Sequence, residues 1–214
     1  MKRNLFSSIL FDASDDKKQT PPTKITPGDD GFVSGKKWAY RLNPDTKRHT
    51  IWLYGVFKST NDYRDILSLF HRLNDDDVVV IHVHSLGGNI TAASNIISAM
   101  LRSRATIITN NIGTAASCGS LITSFGHKIH VDPNTTTMFH HAAFGFQDSV
   151  HRMLSYSQHA INQGVDLLTK MQKRGIITED EVYAISQRGE EFYLSSEIME
   201  SRLRAANLWY EGEL

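Results

Sequence analysis

Residues 78–101 read VVVIHVHSLGGNITAASNIISAML, and this stretch decides the fold class. Its first six residues are a β-branched run, which predicts a short strand buried on both faces. Gly87 and Gly88 then predict a tight turn, after which apolar residues recur at helical spacing at positions 90, 93, 97, 100 and 101. A buried strand, a glycine turn and an amphipathic helix in this order predict an α/β fold with parallel strands.

The same alternation extends on both sides of this stretch. Apolar and β-branched runs predict strands at 51–57, 105–112 and 128–131, and helical spacing predicts helices at 63–73, 117–125 and 149–174. A capping box of Thr178 and Glu181 predicts the start of one more helix. Residues 1–36 differ, because they hold three of the five prolines and few large apolar residues. We expect a flexible N-terminal tail over 1–36, with a docking arm as the alternative, and one folded domain over 37–214.

Composition excludes several classes of protein. Lys and Arg number 23 and Asp and Glu number 23, so a net charge of zero argues against binding to nucleic acid or to an anionic membrane. No apolar run approaches the ~18 residues that span a bilayer, and the first residues make a poor signal peptide. We therefore expect a soluble cytoplasmic protein. Cys118 is the single cysteine, which excludes an internal disulfide and a multi-cysteine zinc site.

Three segments at the carboxyl ends of predicted strands carry groups suited to catalysis. Residues 84–93, HSLGGNITAA, offer backbone N–H groups that no side chain obstructs, which suits an anion. Residues 113–120, GTAASCGS, place Ser117 at the first turn of a helix. Residues 135–145, TTTMFHHAAFG, supply His140, a base of the kind that a serine nucleophile requires.

Each of these segments also has an ordinary structural interpretation. The glycine pair could be a plain β-to-α turn, Ser117 an N-cap, and His140 one of ten histidines without a chemical role. Cys118 is an alternative nucleophile, although a lone cysteine is more often a small buried apolar residue. His82, His84 and His140 lack carboxylates or cysteines at ligand spacing, so we expect no metal site.

Taken together, the three segments resemble the proteolytic subunit family of the Clp proteases, including its shorter phage and prophage head-maturation relatives. The resemblance covers roughly residues 50–205. The family's Ser-Pro-Gly-Gly turn corresponds to residues 85–88, where Leu86 replaces the usual proline. Its Gly-x-Ala-Ala-Ser-x-Gly turn is matched by residues 113–119 and its Met-x-His motif by residues 138–140. The resemblance implies a crotonase-like fold of repeated β-β-α units with a projecting "handle" helix, here at 149–174.

The resemblance also implies a role for each matching residue. Ser117 corresponds to the nucleophile, His140 to the general base, and the N–H groups of Gly88 and Cys118 to the oxyanion hole. The family's third triad member is an aspartate in an Asp-x-Phe-Leu-Ser pattern, and Glu191 stands at that position here. Glu190 is one residue away, so the acid could be either glutamate or neither. The implied activity is serine-type hydrolysis of peptide bonds, with no cofactor.

The family resemblance further implies polypeptide substrates and a homo-oligomeric ring, and it allows a separate ATP-dependent unfoldase as partner. Apolar positions spread widely around the 149–174 helix, so we expect that helix to contact another subunit and a mid-helix charge such as Leu168→Glu to dissociate the oligomer. Two alternatives remain open: a catalytically silent ring subunit or scaffold, and an acyl-CoA-processing enzyme of the same fold. Neither the natural substrate nor the ring size follows from the sequence.

Overall fold

A computed structural model describes residues 33–34, 38–141 and 149–214. The described strands form one mixed sheet in the order β1-β2-β3-β4-β5-β7-β8, with β6 paired to β5 off this path. The strands are β1 Val33–Ser34, β2 Trp38–Asn43, β3 Arg48–Phe57, β4 Val78–Gly88, β5 Thr106–Ala116, β6 Lys128–Val131, β7 Thr136–Phe139 and β8 Phe192–Ser195. The helices are α1 Arg64–Phe70, α2 Ile90–Arg102, α3 Cys118–Thr123, α4 Val150–Lys173, α5 Glu179–Arg188 and α6 Ser196–Ala205.

The centre of the sheet is parallel and its two ends are antiparallel. Strands β3, β4 and β5 pair in parallel, and β5 pairs in parallel with both β6 and β7. At the ends, β1, β2 and β3 pair antiparallel in turn, and β8 runs antiparallel to β7. The helices between parallel strands make this a mixed α/β fold, which confirms the predicted fold class.

One hydrophobic core joins the sheet to the helices that follow its strands. Leu53 of β3 and Ile81 of β4 are fully buried, as are Ile96 of α2 and Ile122 of α3. Burying one such side chain contributes about 1.5–3 kcal/mol to folding. This packing fixes the carboxyl ends of β4, β5 and β7 relative to one another, which matters because the candidate catalytic residues follow those ends.

Strands β4 and β5 are longer than their apolar runs predicted. Hydrogen bonding to neighbouring strands carries β4 through the glycine pair, where Gly87 lies opposite Val56 and Gly88 opposite Phe57. It likewise carries β5 to Ala116, directly before Ser117. The predicted tail over 1–36 lies outside the described residues, apart from the two residues of β1.

Helix α4 has 24 residues and so is about 36 Å long. Its C-terminal half packs into the subunit's own core through Leu167, Leu168 and Met171. Because Leu168 is only 5% exposed, the expectation that it contacts another subunit is wrong, and a charge there would disrupt the core. The exposed apolar residues lie in the N-terminal half, at Met153, Leu154 and Tyr156. Over the described ranges, no helix is long and apolar enough to cross a membrane.

Candidate active site

The ends of β4, β5 and β7 border a cavity of about 950 Å³, and one side of α4 forms its opposite wall. Leu86 and Gly88 reach the cavity from β4, Ser117 and Cys118 from the turn after β5, and His140 from the end of β7. The carboxyl ends of neighbouring parallel strands meet at one edge of a sheet, which explains why three distant segments converge here. Glu191, directly before β8, lies next to His140.

Ser117 occupies a sharp turn between β5 and α3. Its backbone has φ 55° and ψ −122°, a conformation that a non-glycine residue rarely adopts. The Ser117 N–H donates to the Met138 carbonyl at 2.9 Å, which ties this turn to β7. Although Ser117 stands at the N-cap position of α3, its side chain makes no capping hydrogen bond. The N-cap interpretation therefore does not account for its hydroxyl.

Gly87 presses directly against this serine. A Cβ atom at Gly87 would lie 2.5 Å from the Ser117 Cβ and 2.9 Å from its Oγ, and the Gly87 φ of +100° also disfavours any other residue. Ser85 fixes the turn, since its hydroxyl accepts from the Gly87 N–H at 3.0 Å and donates to the Gly55 carbonyl. The interpretation of the glycine pair as a plain β-to-α turn is therefore incomplete, because the missing side chain at Gly87 leaves the space that the Ser117 hydroxyl occupies.

Strand pairing brings His140 and Glu191 together. Phe139 at the end of β7 lies opposite Phe192 at the start of β8. Because the strands are antiparallel, His140 after Phe139 comes opposite Glu191 before Phe192. The His140 Nδ1 and the Glu191 Oε1 are 3.8 Å apart. Burial lowers the pKa of His140 below its ordinary value, opposed by the Glu191 charge, and His141 lowers it further. The imidazole is therefore neutral near pH 7, the form that accepts a proton.

The two candidate glutamates have different partners. The Glu190 carboxylate accepts from the Arg188 Nε at 2.5 Å on the exposed surface. The Glu191 carboxylate faces His140 through one oxygen and accepts from the Tyr193 hydroxyl at 2.9 Å through the other. The structure thus brings Glu191 to the site and leaves Glu190 with Arg188.

Cys118 lies beside Ser117 but is the poorer candidate nucleophile. Its thiol is buried and donates to the Gly88 carbonyl at 3.1 Å. Burial raises the pKa of Cys118 to about 11, so the thiol is protonated at neutral pH and weakly nucleophilic. The Cys118 N–H belongs to the first turn of α3, where backbone donors have no partner within the helix. Both predicted oxyanion-hole residues therefore border the cavity together, next to Ser117.

Sequence reasoning missed two parts of this site. Helix α4 lines the cavity with Arg152, Ser155, Tyr156 and His159. Their spacing of three and four residues marks one helix face and was the available signal. Tyr193 was also missed, although two residues separate it from Glu191 along a strand, which places both side chains on one face.

The histidines of β4 do not join the site. The exposed His84 instead accepts from the Thr114 N–H through its Nδ1 at 3.1 Å. His82 stacks on Trp52 with ring centroids 5.5 Å apart. Within residues 33–34, 38–141 and 149–214, no group of three or more histidine, cysteine or acidic side chains is placed to hold a metal ion.

Comparison with known proteins identifies the family. The family model described as Clp protease matches residues 46–198, which is well over half of the chain and includes all five residues of the candidate site. No curated protein matches the sequence significantly. The mixed α/β sheet is consistent with this match. The chain belongs to the Clp protease family.

Proposed function

We propose that the protein is a serine-type endopeptidase. The observation that carries this proposal is the convergence of Ser117 and His140 on one cavity, with Glu191 facing the far side of the imidazole. A serine, a neutral histidine and a carboxylate in this order make up the nucleophile, base and orienting group of acyl transfer. Membership of the Clp protease family supports the same chemistry on peptide bonds.

In this mechanism the Ser117 Oγ attacks the scissile carbonyl carbon while the His140 Nε2 removes the hydroxyl proton. The same histidine later delivers that proton to the leaving amine, and water repeats the sequence to release the acyl group. Glu191 keeps the other proton of the imidazole on Nδ1. The N–H groups of Gly88 and Cys118 stabilise the oxyanion, a contribution of about 3–4 kcal/mol for each donor removed. No metal or organic cofactor takes part in these steps.

The cavity wall supports a polypeptide substrate. Leu86, Leu121 and Phe139 line it near Ser117, and Val165 and Leu168 line it from α4. Such a wall accepts an apolar side chain of an unfolded chain through burial of apolar surface.

We further propose that copies of the chain assemble into a ring and that a separate ATP-dependent unfoldase delivers folded substrates. The chain itself has no G-x-x-x-x-G-K-[ST] phosphate loop.

The decisive experiment replaces the nucleophile. Ser117→Ala removes one oxygen from a small side chain, so the fold should survive while cleavage of unfolded casein falls by about 10⁵–10⁶-fold. Labelling by a fluorophosphonate should disappear as well. Ser124→Ala is the matched control, because it removes a buried hydroxyl at the end of α3 that does not line the cavity. Cleavage that persists in Ser117→Ala would contradict the proposal.

A catalytically silent ring subunit is the second candidate. It is favoured by the 3.8 Å separation of His140 and Glu191, which exceeds hydrogen-bond length, and by the 51% exposure of the Glu191 side chain. A silent subunit would assemble normally but would not react with a fluorophosphonate. An acyl-CoA-processing enzyme would also escape this reagent, because it uses the oxyanion hole without a reactive serine.

A further inference from the structure

We propose that Tyr193 is a positioning residue of this site: its hydroxyl anchors the Glu191 carboxylate and thereby holds that carboxylate against His140. The Tyr193 hydroxyl donates to the Glu191 Oε2 at 2.9 Å while the Oε1 of the same carboxylate faces the His140 Nδ1. This inference rests on the proposed function, in which Glu191 orients the general base.

The backbone of β8 creates this contact. Side chains alternate along a strand, so Glu191 and Tyr193 lie on one face while Phe192 and Leu194 lie on the other. Leu194 is 5% exposed and packs in the core, which fixes the direction in which its neighbours point. Tyr193 is consequently 54% exposed, a placement that burial of its ring does not explain. Its hydrogen bond to Glu191 is the contact that gives the residue a role.

A glutamate at this position needs such an anchor. It has one more rotatable bond than the aspartate of the family pattern, and holding a flexible side chain in one rotamer costs entropy. The Glu191 side chain is half exposed, so packing alone does not restrain it. A carboxylate can accept two hydrogen bonds on different oxygens. Tyr193 therefore restrains Oε2 while Oε1 stays available to His140, which must approach by about 1 Å to form a hydrogen bond.

The anchor should also set the proton affinity of His140. The Glu191 charge raises the pKa of His140 against the lowering effects of burial and of His141. If the carboxylate moves away, the pKa of His140 falls. The other titratable groups that line the same cavity come from α3 and α4, and they are Cys118, Arg152, Tyr156 and His159. None of them carries a carboxylate, so none replaces the Glu191 charge when the anchor is lost.

The test is Tyr193→Phe, which removes only the hydroxyl. The rate of Ser117 labelling by a fluorophosphonate should fall by about fivefold, the loss expected for an exposed hydrogen bond of about 1 kcal/mol. In a plot of the labelling rate against pH, the acid limb should move to lower pH, because the Glu191 charge that raises the pKa of His140 is no longer held close to it. Tyr183→Phe is the matched control: Tyr183 lies on α5 and is 57% exposed, and this variant should behave as the unaltered protein.

A double-mutant cycle with Glu191→Gln completes the test. If Tyr193 acts through Glu191, then Tyr193→Phe should cause less than a twofold further change in the Glu191→Gln background. An unchanged rate and pH profile in Tyr193→Phe would overturn the inference, and so would an equal loss in both backgrounds. Failure of the proposed function is recognised separately: either the unaltered protein would not react with a fluorophosphonate, or the Ser117→Ala variant would still cleave casein.

Discussion

At the scale of single residues, the proposed mechanism depends on which carboxylate orients His140. Glu191→Gln keeps the shape of the side chain but lets its amide stabilise the wrong imidazole tautomer. We expect kcat to fall by about 100-fold, less than the ~10⁴-fold effect at a fully buried triad aspartate, because water screens a half-exposed carboxylate. Steady-state cleavage of a fluorogenic peptide measures this loss.

Glu190→Gln is the natural comparison for this variant. The Glu190 carboxylate pairs with Arg188 on the surface, so its loss should change kcat by less than twofold. A large loss in Glu190→Gln with none in Glu191→Gln would move the acid by one residue. Full activity in both variants would leave a Ser117–His140 dyad.

Sequence alone predicts the components of the site but not all of their contacts. Ser117, His140 and the glycine pair lie in short motifs whose residue types follow from their chemistry. Choosing Glu191 over Glu190 requires the β7–β8 register, which depends on packing between segments about 50 residues apart and leaves no local pattern. The contribution of α4 to the cavity wall could not be predicted for the same reason. Periodicity shows which residues share a helix face but not which part of the protein that face contacts.

At the scale of secondary-structure elements, the strongly patterned segments were predicted well. The predicted boundaries of β6 match the structure, those of α4 lie within one residue of it, and the Thr178–Glu181 capping box opens α5 as expected. The sequence did not mark β2 and β8 as strands. Both are short strands at the antiparallel ends of the sheet, where pairing to β3 or β7 rather than local preference fixes the conformation.

Strand β3 carries a buried histidine that should make the fold sensitive to acid. His49 is 3% exposed, its Nδ1 lies 2.9 Å from the Tyr40 hydroxyl, and its Nε2 lies 3.3 Å from the Asp77 carboxylate. Burial lowers the pKa of His49 even though Asp77 opposes the shift. The unfolded chain therefore binds this proton first as pH falls below about 6.5, and the resulting loss of stability is at most ~1.4 kcal/mol per pH unit for one histidine.

The corresponding measurement is urea unfolding at fixed protein concentration between pH 7.5 and 5. We expect the free energy of unfolding to decrease below pH 6.5 in the unaltered protein and to decrease less steeply in His49→Gln. Some slope should remain, because burial also lowers the pKa of His82, His127 and His140. His71→Gln, at an exposed position after α1, is the control. Equal slopes in the unaltered protein and in His49→Gln would contradict this assignment.

At the scale of the whole molecule, α4 divides into a half that the subunit covers and a half that it does not. The N-terminal half carries Met153 and Leu154, which are 37% and 64% exposed, and Tyr156, which is 43% exposed and also lines the cavity. A helical segment of about 12 residues, half of α4, is only marginally stable in water without tertiary packing. Exposed apolar side chains that lie close together on one helix are typical of a surface that another chain covers. The ring proposed above makes a second copy of the chain the expected partner.

Assembly should therefore depend on the exposed N-terminal half of α4 rather than on Leu168. Analytical ultracentrifugation at micromolar concentration should show the unaltered protein well above its monomer mass of 24.1 kDa. Leu154→Glu should shift it toward monomer and lower peptide cleavage in parallel, because the charge is buried at the contact and the cavity wall formed by α4 loses its support. Leu101→Glu, the same change at a 54% exposed position of α2, should leave the mass unchanged. A stable, fully active monomer would refute the prediction, and equal dissociation in both variants would show that α4 is not the specific contact.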